Sequence, residues 1–173
     1  PCIMRWPAKI ASETVSDAIV TSMDFFPTFS KLAGEAVSTE RIIDGHDVSG
    51  LMFDEADYSA NDTFHYYAQN RLEAIRVGDW KLHFQKGDTE ISELYHLRED
   101  VSETTNRYSD RPDIVAVLSQ KAQAIREDIG DEACGIVGKN IRPIGRVDNP
   151  KPLTEYREDH PYMIAMYDLP DMP

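Results

Sequence analysis

Residues 72–85 read LEAIRVGDWKLHFQ, and this stretch decides the fold of the chain. Two runs rich in apolar residues flank the dipeptide Gly78-Asp79. A two-residue link of this kind is typical of a β-hairpin, because glycine adopts a positive φ at the first turn position without steric cost. Alternation along the second arm places one set of side chains on each face. These sets are Trp80, Leu82 and Phe84 on one face, and Lys81, His83 and Gln85 on the other.

Neighbouring segments extend this hairpin into an antiparallel meander. Residues 63–67 read TFHYY, an aromatic and β-branched composition that favours a strand. Gly87-Asp88 predicts another turn, and residues 93–97 alternate between the two faces after it. The sequence therefore predicts four strands, at residues 63–67, 72–77, 80–85 and 93–97.

A helix is predicted over residues 111–129. Asp110 is the expected N-cap, Pro112 lies in the first turn, and Gly130 follows the last turn. Apolar residues recur at helical spacing and need a partner surface, for which one face of the meander is suited. They are Ile114, Leu118, Ala122, Ile125 and Ile129.

A shorter helix is predicted over residues 22–33, before the meander. Ser22 or Asp24 can cap it, Pro27 is tolerated only in its first turn, and Gly34 can end it. Its apolar face consists of Phe25, Phe26, Phe29, Leu32 and Ala33.

These elements predict an α+β fold in four parts. Residues 1–53 hold extended, helical and loop segments, and residues 54–62 are an acidic, exposed connection. Residues 63–130 form a small antiparallel sheet with one packed helix. Residues 131–173 contain six of the ten prolines and are expected to form an extended tail, since proline removes a donor and fixes φ.

Composition indicates a globular protein with an acidic surface. The chain has 173 residues, 41% of them hydrophobic and 28% charged, and a net charge of −13. Such a surface repels nucleic acid and anionic membranes. No apolar run approaches the ~20 residues needed to span a bilayer. The chain does not begin with Met, and we expect position 1 to be a cut made by processing or gene fragmentation.

The two cysteines, Cys2 and Cys134, allow one disulfide by number, but such sparse cysteine favours two separate thiols. Asn61-Asp62-Thr63 matches the glycosylation acceptor pattern, which matters only in a host that glycosylates secreted proteins.

The sequence contains no local motif that is typical of catalysis or metal binding. The five histidines form no pair at metal-ligand spacing, and no nucleophile elbow or phosphate-binding loop occurs. The nearest cluster of ligand types, at residues 44–47 (DGHD), is interpreted as a glycine-containing turn. The residues alone therefore predict no catalytic residue and no metal site on this chain.

Five phrases in order resemble the C-terminal third of type I sulfatases, the arylsulfatase-like branch of the alkaline phosphatase superfamily. The resemblance covers about residues 1–147, with Ala8 for the usual Gly, His96 for Asp and Val101 for Pro. The phrases are PCIMRWPAKI (1–10), MDFFPTFSKLAG (23–34), IDGHD (43–47), LEAIRVGDWKLH (72–83) and ELYHLRED (93–100) followed by Glu103 and Asn106.

The resemblance implies that residues 1–53 end the sulfatase α/β domain and that a full-length parent hydrolyses sulfate esters. The family uses a formylglycine, made from Cys or Ser in a C/S-x-P-S/A-R motif, and a calcium ion. Neither Cys2 nor Cys134 lies in that motif. The resemblance thus implies an inactive chain without cofactors of its own, whose partner is the missing N-terminal catalytic portion. A periplasmic, secreted or lysosomal location is the family expectation.

The resemblance also implies that loops of the small sheet help to shape the substrate pocket. The substrate of the parent would be a sulfated small molecule or a sulfated polysaccharide. An arginine suits a sulfate through bidentate contact. The candidate residues are His65, Gln69, Asn70, Arg71 and His83.

Two other interpretations stay open. Residues 63–130 could be a stand-alone, non-catalytic binding module, and the parent could be a related phosphatase or phosphonate-ester hydrolase. If the chain is a sulfatase fragment, the apolar residues of segment 1–34 should be exposed and could drive self-association.

Overall fold

The computed structural model describes residues 2–40, 42–55, 61–143, 145–146 and 148. It divides into two units, residues 1–141 and 142–173, and all regular elements of the described residues lie in the first. The centre of the predicted connection, residues 56–60, and the end of the predicted tail, residues 149–173, lie outside the described residues.

The predicted meander is confirmed as one antiparallel sheet with the strand order β1-β2-β3-β4. Gly78 and Gly87 have φ values of 56° and 60° in the two predicted turns, a conformation that glycine adopts without a Cβ penalty. The strands are β1 (Thr63–Ala68), β2 (Arg71–Val77), β3 (Trp80–Lys86) and β4 (Thr89–His96).

Two irregularities separate the strands from simple alternation. Between β1 and β2, Tyr66 pairs with Ala74 but Tyr67 pairs with Leu72, so β2 carries an extra residue. This bulge puts Leu72 and Ile75 on the same face although they are three residues apart. A second irregularity lies between His83 and Gln85 in β3, and β4 begins at Thr89 rather than at residue 93.

Within the described residues, three α-helices accompany the sheet: α1 (Phe25–Leu32), α2 (Ser49–Met52) and α3 (Pro112–Ile129). Helix α3 confirms the predicted span and packs on the inner face of the sheet. The core residues are Leu72, Ile75, Leu82, Leu94, Leu118 and Ala122.

Details of α3 correct the prediction at both ends. Arg111, not Asp110, occupies the N-cap position and makes no side-chain cap bond. Its guanidinium instead binds Asp113, which lowers the pKa of that carboxyl to about 2. Ile129 is 41% exposed, so the last residue of the predicted apolar stripe is not part of the buried core.

The segment before α1 is stabilised by a buried carboxylate. A 3₁₀ turn, Ser22–Asp24, precedes the helix, so the predicted start at residue 22 is confirmed. The N-cap is Thr21 rather than Ser22, and Asp24 bonds backward instead of capping forward. Its carboxylate accepts from the Thr21 amide at 2.6 Å and the Thr21 hydroxyl at 3.0 Å.

The same carboxylate ties α1 to the DGHD segment. Asp24 accepts from the His46 amide at 2.8 Å, and the Thr28 hydroxyl accepts from the Val48 amide at 2.9 Å. Gly45 packs so closely that a Cβ there would overlap the carbonyl oxygen of Met23. Two phrases that are distant in sequence therefore form one hydrogen-bonded unit.

Substitution of Gly45 by Ala tests this unit. The added Cβ forces the DGHD segment away from Met23, and overpacking of this kind costs about 1–3 kcal/mol. We expect hydrogen exchange of the His46 and Val48 amides to accelerate about tenfold or more. Gly145→Ala, where a Cβ meets open space, is the matched control. Unchanged exchange in Gly45→Ala would contradict the close contact.

Candidate functional site

The structure does not gather the five predicted pocket residues at one point. His65 pairs with the core residue Ile75 and so lies on the inner face, whereas His83 lies on the opposite, outer face. Gln69 and Asn70 form the β1–β2 turn, and Arg71 begins β2. The candidates therefore divide between the two faces and one end of the sheet.

A charged cluster occupies the outer face around His83. Glu103 accepts hydrogen bonds from Lys81 Nζ at 2.6 Å and from His83 Nε2 at 2.9 Å. The Lys81 ammonium also lies 4.5 Å from the centroid of the Tyr66 ring. All three charged or polar side chains are mostly buried, so water screens their interactions weakly.

The loop after β4 delivers Glu103 to this cluster. The carboxylate of Asp100 accepts from the amides of Thr104 and Thr105 and closes a tight turn. Glu103 has a φ of 54°, an uncommon conformation for a residue other than glycine. With the backbone in this conformation, the carboxylate of Glu103 contacts Lys81 and His83 on β3.

Asn106 fixes the end of the same loop along the edge of β4. Its Oδ1 accepts from the Leu94 amide at 3.0 Å, and its Nδ2 donates to the Ser92 carbonyl at 3.1 Å. The Arg107 amide donates to the Leu94 carbonyl. Glu103 and Asn106, which carried part of the family phrase, thus act as structural clamps, a role that sequence reasoning missed.

Burial sets the protonation of the outer cluster. Burial first, and then the Lys81 ammonium, lowers the pKa of His83 below 6.5. Burial alone would raise the pKa of Glu103, but hydrogen bonding to Lys81 outweighs it and holds that pKa below 4.5. At neutral pH a neutral imidazole therefore donates its Nε2–H to an ionised carboxylate.

His65 has a similar electrostatic environment on the inner face. Burial, followed by the charge of Lys121 on α3, lowers its pKa. His65 is therefore neutral at neutral pH, and its position between sheet and helix separates it from the outer cluster.

A polar groove of about 770 Å³ lies beside α3 and the β3–β4 hairpin. Three predicted pocket residues, Gln69, Arg71 and His83, line it. The Arg71 guanidinium lies 2.5 Å from the Asp88 carboxylate, so this arginine already has an anionic partner. The carbonyl of Asn70 accepts from the Glu132 amide, which makes Asn70 a structural contact of the turn.

One wall of this groove is fixed by the buried carboxylate of Asp131. It accepts from Arg126 Nε at 2.8 Å and from the amides of Leu72 at 3.3 Å and Ala133 at 3.1 Å. The Arg126 guanidinium also lies 4.6 Å from the centroid of the Phe84 ring. The chain after α3 is thereby attached to the sheet, where the sequence predicted only an extended tail.

Tyr67 makes a second attachment in this place. Its hydroxyl donates to the Gly130 carbonyl at 2.7 Å, and burial together with the Asp131 charge raises its pKa to about 12. The residues that follow form a 3₁₀ turn, Glu132–Cys134, and a bridge between Asp131 and Ile136. The Gly130-Asp131 pair is the sequence feature that could have indicated this structure.

An apolar groove of about 570 Å³ lies between residues 2–10 and α1. Phe25 and Phe29 stack with ring centroids 5.7 Å apart along it, yet Phe29 remains 57% exposed and Ile3 is 96% exposed. Residues 2–6 pair with no strand among the described residues.

The described residues contain two thiols, but no cluster of metal ligands and no helix that could span a membrane. Cys2 and Cys134 are both exposed and free, as the sparse cysteine predicted. The described residues contain no group of three or more His, Cys, Asp or Glu side chains placed to hold a metal ion. No helix within the described ranges has the length and apolar character needed to cross a membrane.

Comparison with sequences of known proteins gives consistent matches. A family profile described as "N-sulphoglucosamine sulphohydrolase, C-terminal" matches residues 1–128. An arylsulfatase of Hemicentrotus pulcherrimus is 37% identical over 97 residues, which cover 56% of this chain and 17% of that protein. A steryl-sulfatase of Homo sapiens is 37% identical over 76 residues, which cover 44% of this chain and 13% of that protein. The matched region thus spans less than a fifth of these relatives.

Solved structures share the fold. One is described as BT4656 in complex with its substrate D-glucosamine-2-N,6-O-disulfate, with a TM-score of 0.57 and 26% sequence identity. The superposition covers 70% of this chain and 27% of the chain in that structure. Another, Ps i-CgsB in complex with k-i-k-neocarrahexaose, has a TM-score of 0.59 and 17% identity, and covers 78% of this chain and 30% of its own.

Removal of the Asp131 carboxylate should strongly destabilise the sheet unit. In Asp131→Ala the guanidinium of Arg126 and the Leu72 amide lose their partner, and breaking a buried pair costs about 3–5 kcal/mol. Asp113→Ala, which breaks an exposed ion pair, should cost far less, because water screens that pair. Urea denaturation measures both changes. Equal losses in the two variants would refute the central role of Asp131.

The buried histidines should make the chain less stable in mild acid. The pKa of His83 is lower in the folded than in the unfolded chain, so the unfolded chain binds more protons below pH 6.5. The free energy of unfolding should therefore fall with pH from about 6.5 downward, and further below 4.5 as Glu103 titrates.

The variant His83→Asn tests this origin of the acid sensitivity. It should show a flatter dependence of unfolding free energy on pH between 4.5 and 6.5 than the parent chain. Gln120→Asn, at an exposed position that carries no titratable group, should keep the parental slope. A parental slope in His83→Asn would count against this account.

Proposed function

The chain belongs to the type I sulfatase family, whose C-terminal domain its residues 1–128 match, and we propose that it forms the C-terminal part of a longer sulfatase. The whole protein would cleave sulfate esters. The observation that carries the proposal is the match over most of the described sheet and helix. The span of this chain, 27–30% of the matched solved structures, supports a longer parent.

The nucleophile and the metal would be supplied by the portion that precedes this chain in the parent. A formylglycine in that portion would supply the nucleophile, and a calcium ion would supply stabilisation of negative charge. The residues described here do not fit that calcium. Asp24, which binds the DGHD segment, and Asp47 within it are already bound to Thr21, Lys31 and backbone amides, and the described residues hold no group of three or more side chains placed to bind a metal ion. No step of the reaction is therefore assigned to this chain.

The apolar groove would be the contact surface for that preceding portion. Phe29 and Ile3 are far more exposed than such residues are in a finished core, and exposed apolar patches mark interaction sites. The adjoining Trp6 packs edge-on against Phe53 at 5.9 Å, which gives the surface a defined shape.

We favour a sulfated sugar as the substrate of the whole protein. The solved structures similar to this chain include one with a disulfated glucosamine as its substrate. Among the sequence matches, an N-acetylgalactosamine-6-sulfatase of Rattus norvegicus covers 73% of this chain, against 44% for the steryl-sulfatase of Homo sapiens.

A stand-alone binding module is the second candidate. The six buried core residues of the sheet and α3 all come from residues 72–122, so this part has its own hydrophobic core. Such a unit could bind a ligand without hydrolysing it.

A comparison of this chain with the longer native protein tests the proposal. The chain alone should not hydrolyse glucosamine-6-sulfate or 4-nitrocatechol sulfate in the presence of calcium, whereas the longer protein should. The chain alone should also bind a hydrophobic dye through the apolar groove, and the longer protein should not. Turnover by the chain alone, or the absence of any sulfatase activity from the longer protein, would refute the assignment.

A further inference from the structure

We propose that the polar groove beside α3 binds a neutral saccharide unit. The groove belongs wholly to this chain, and its volume of about 770 Å³ lies in the ~300–1,000 Å³ range of small-ligand sites. The proposal rests on the proposed function in one respect, that the bound sugar is part of the saccharide substrate. The binding chemistry itself follows from the residues that line the groove.

The floor of the groove is apolar and aromatic. Leu82 belongs to the buried core, and Phe84 and Tyr108 pack beside it. The guanidinium of Arg126 lies over the Phe84 ring, 4.6 Å from its centroid. A rigid floor of this kind suits the C–H face of a sugar ring, which gains from leaving water.

The rim offers hydrogen-bonding groups that no other side chain uses. The amide of Gln69 and the hydroxyls of Ser92 and Ser119 have no hydrogen-bond partner among the described residues. Gln69 has a φ of 56°, an uncommon conformation that places this residue at the turn where the groove opens. Amides and hydroxyls both donate and accept, as the hydroxyl groups of a sugar require.

The charge of the rim argues for a neutral ligand. Both arginines are paired, Arg71 with Asp88 and Arg126 with Asp131. The carboxylates of Glu90 and Glu132 form no salt bridge in the described part of the chain; Arg71 interacts electrostatically with Glu132 but is already bound to Asp88. Carboxylates accept hydrogen bonds from sugar hydroxyls but repel a sulfate group placed next to them.

Titration of the isotope-labelled full chain in NMR experiments tests this proposal. The probes are desulfated neocarrahexaose, a neutral hexasaccharide, and k-i-k-neocarrahexaose, its sulfated counterpart. The neutral probe should shift the amide signals of residues 69–71, 90–92, 119 and 132–134. The sulfated probe should bind more weakly, by about tenfold at low salt, and the difference should shrink as salt screens the carboxylates.

Two substitutions on α3 provide a matched pair. Ser119→Trp fills the groove and should abolish the signal shifts, whereas Gln120→Trp, at an exposed position outside the groove, should leave them intact. The spectrum of each variant without ligand reports whether the fold is kept. Glu132→Gln keeps the backbone hydrogen bond from residue 132 to the Asn70 carbonyl. This substitution should reduce the difference in affinity between the neutral and the sulfated probe.

Three outcomes would overturn the proposal: no shift with the neutral probe, unchanged binding in Ser119→Trp, or tighter binding of the sulfated probe. These outcomes are separate from the test of the proposed function. Sugar binding by this chain does not need the catalytic portion, and sulfatase turnover by the longer protein does not need this groove to hold a neutral sugar.

Discussion

The buried carboxylate of Asp131 is the constraint on which the sheet unit depends. It joins three parts of the chain that are distant in sequence: Arg126 at the end of α3, Leu72 in β2, and Ala133 in the following turn. The Leu72 amide and the Arg126 guanidinium are buried or mostly buried N–H donors, and such groups are costly when left without a partner. The carboxylate thus fixes the helix end, the strand and the wall of the polar groove together.

Regular periodicity explains which elements the sequence could predict. The hairpin around Gly78 and the helix over residues 112–129 have clear periods of two and 3.6 residues, and both were predicted closely. The first half of β4 was missed because an irregularity opposite His83 interrupts the alternation. The attachment of Asp131 was also missed, since a buried contact between distant residues leaves no local period.

The candidate site illustrates the same limit. His65 and His83 were both predicted to line the pocket, but strand register places their side chains on opposite faces of the sheet. The turn residues Gln69 and Arg71 do line one groove, because a two-residue turn keeps its neighbours together. The role of Glu103 could not be predicted among 31 acidic residues, because only the folded loop brings its carboxylate to Lys81.

The meander has a consequence for how this protein folds. Every strand of the sheet pairs with its neighbour in sequence, and the turns are short. The contacts are therefore local, and a topology with low contact order searches few arrangements before it forms. The sheet can assemble rapidly from its own hairpins, without waiting for a distant strand. This region can therefore complete its structure as soon as residues 63–131 have been synthesised, without waiting for the residues that follow.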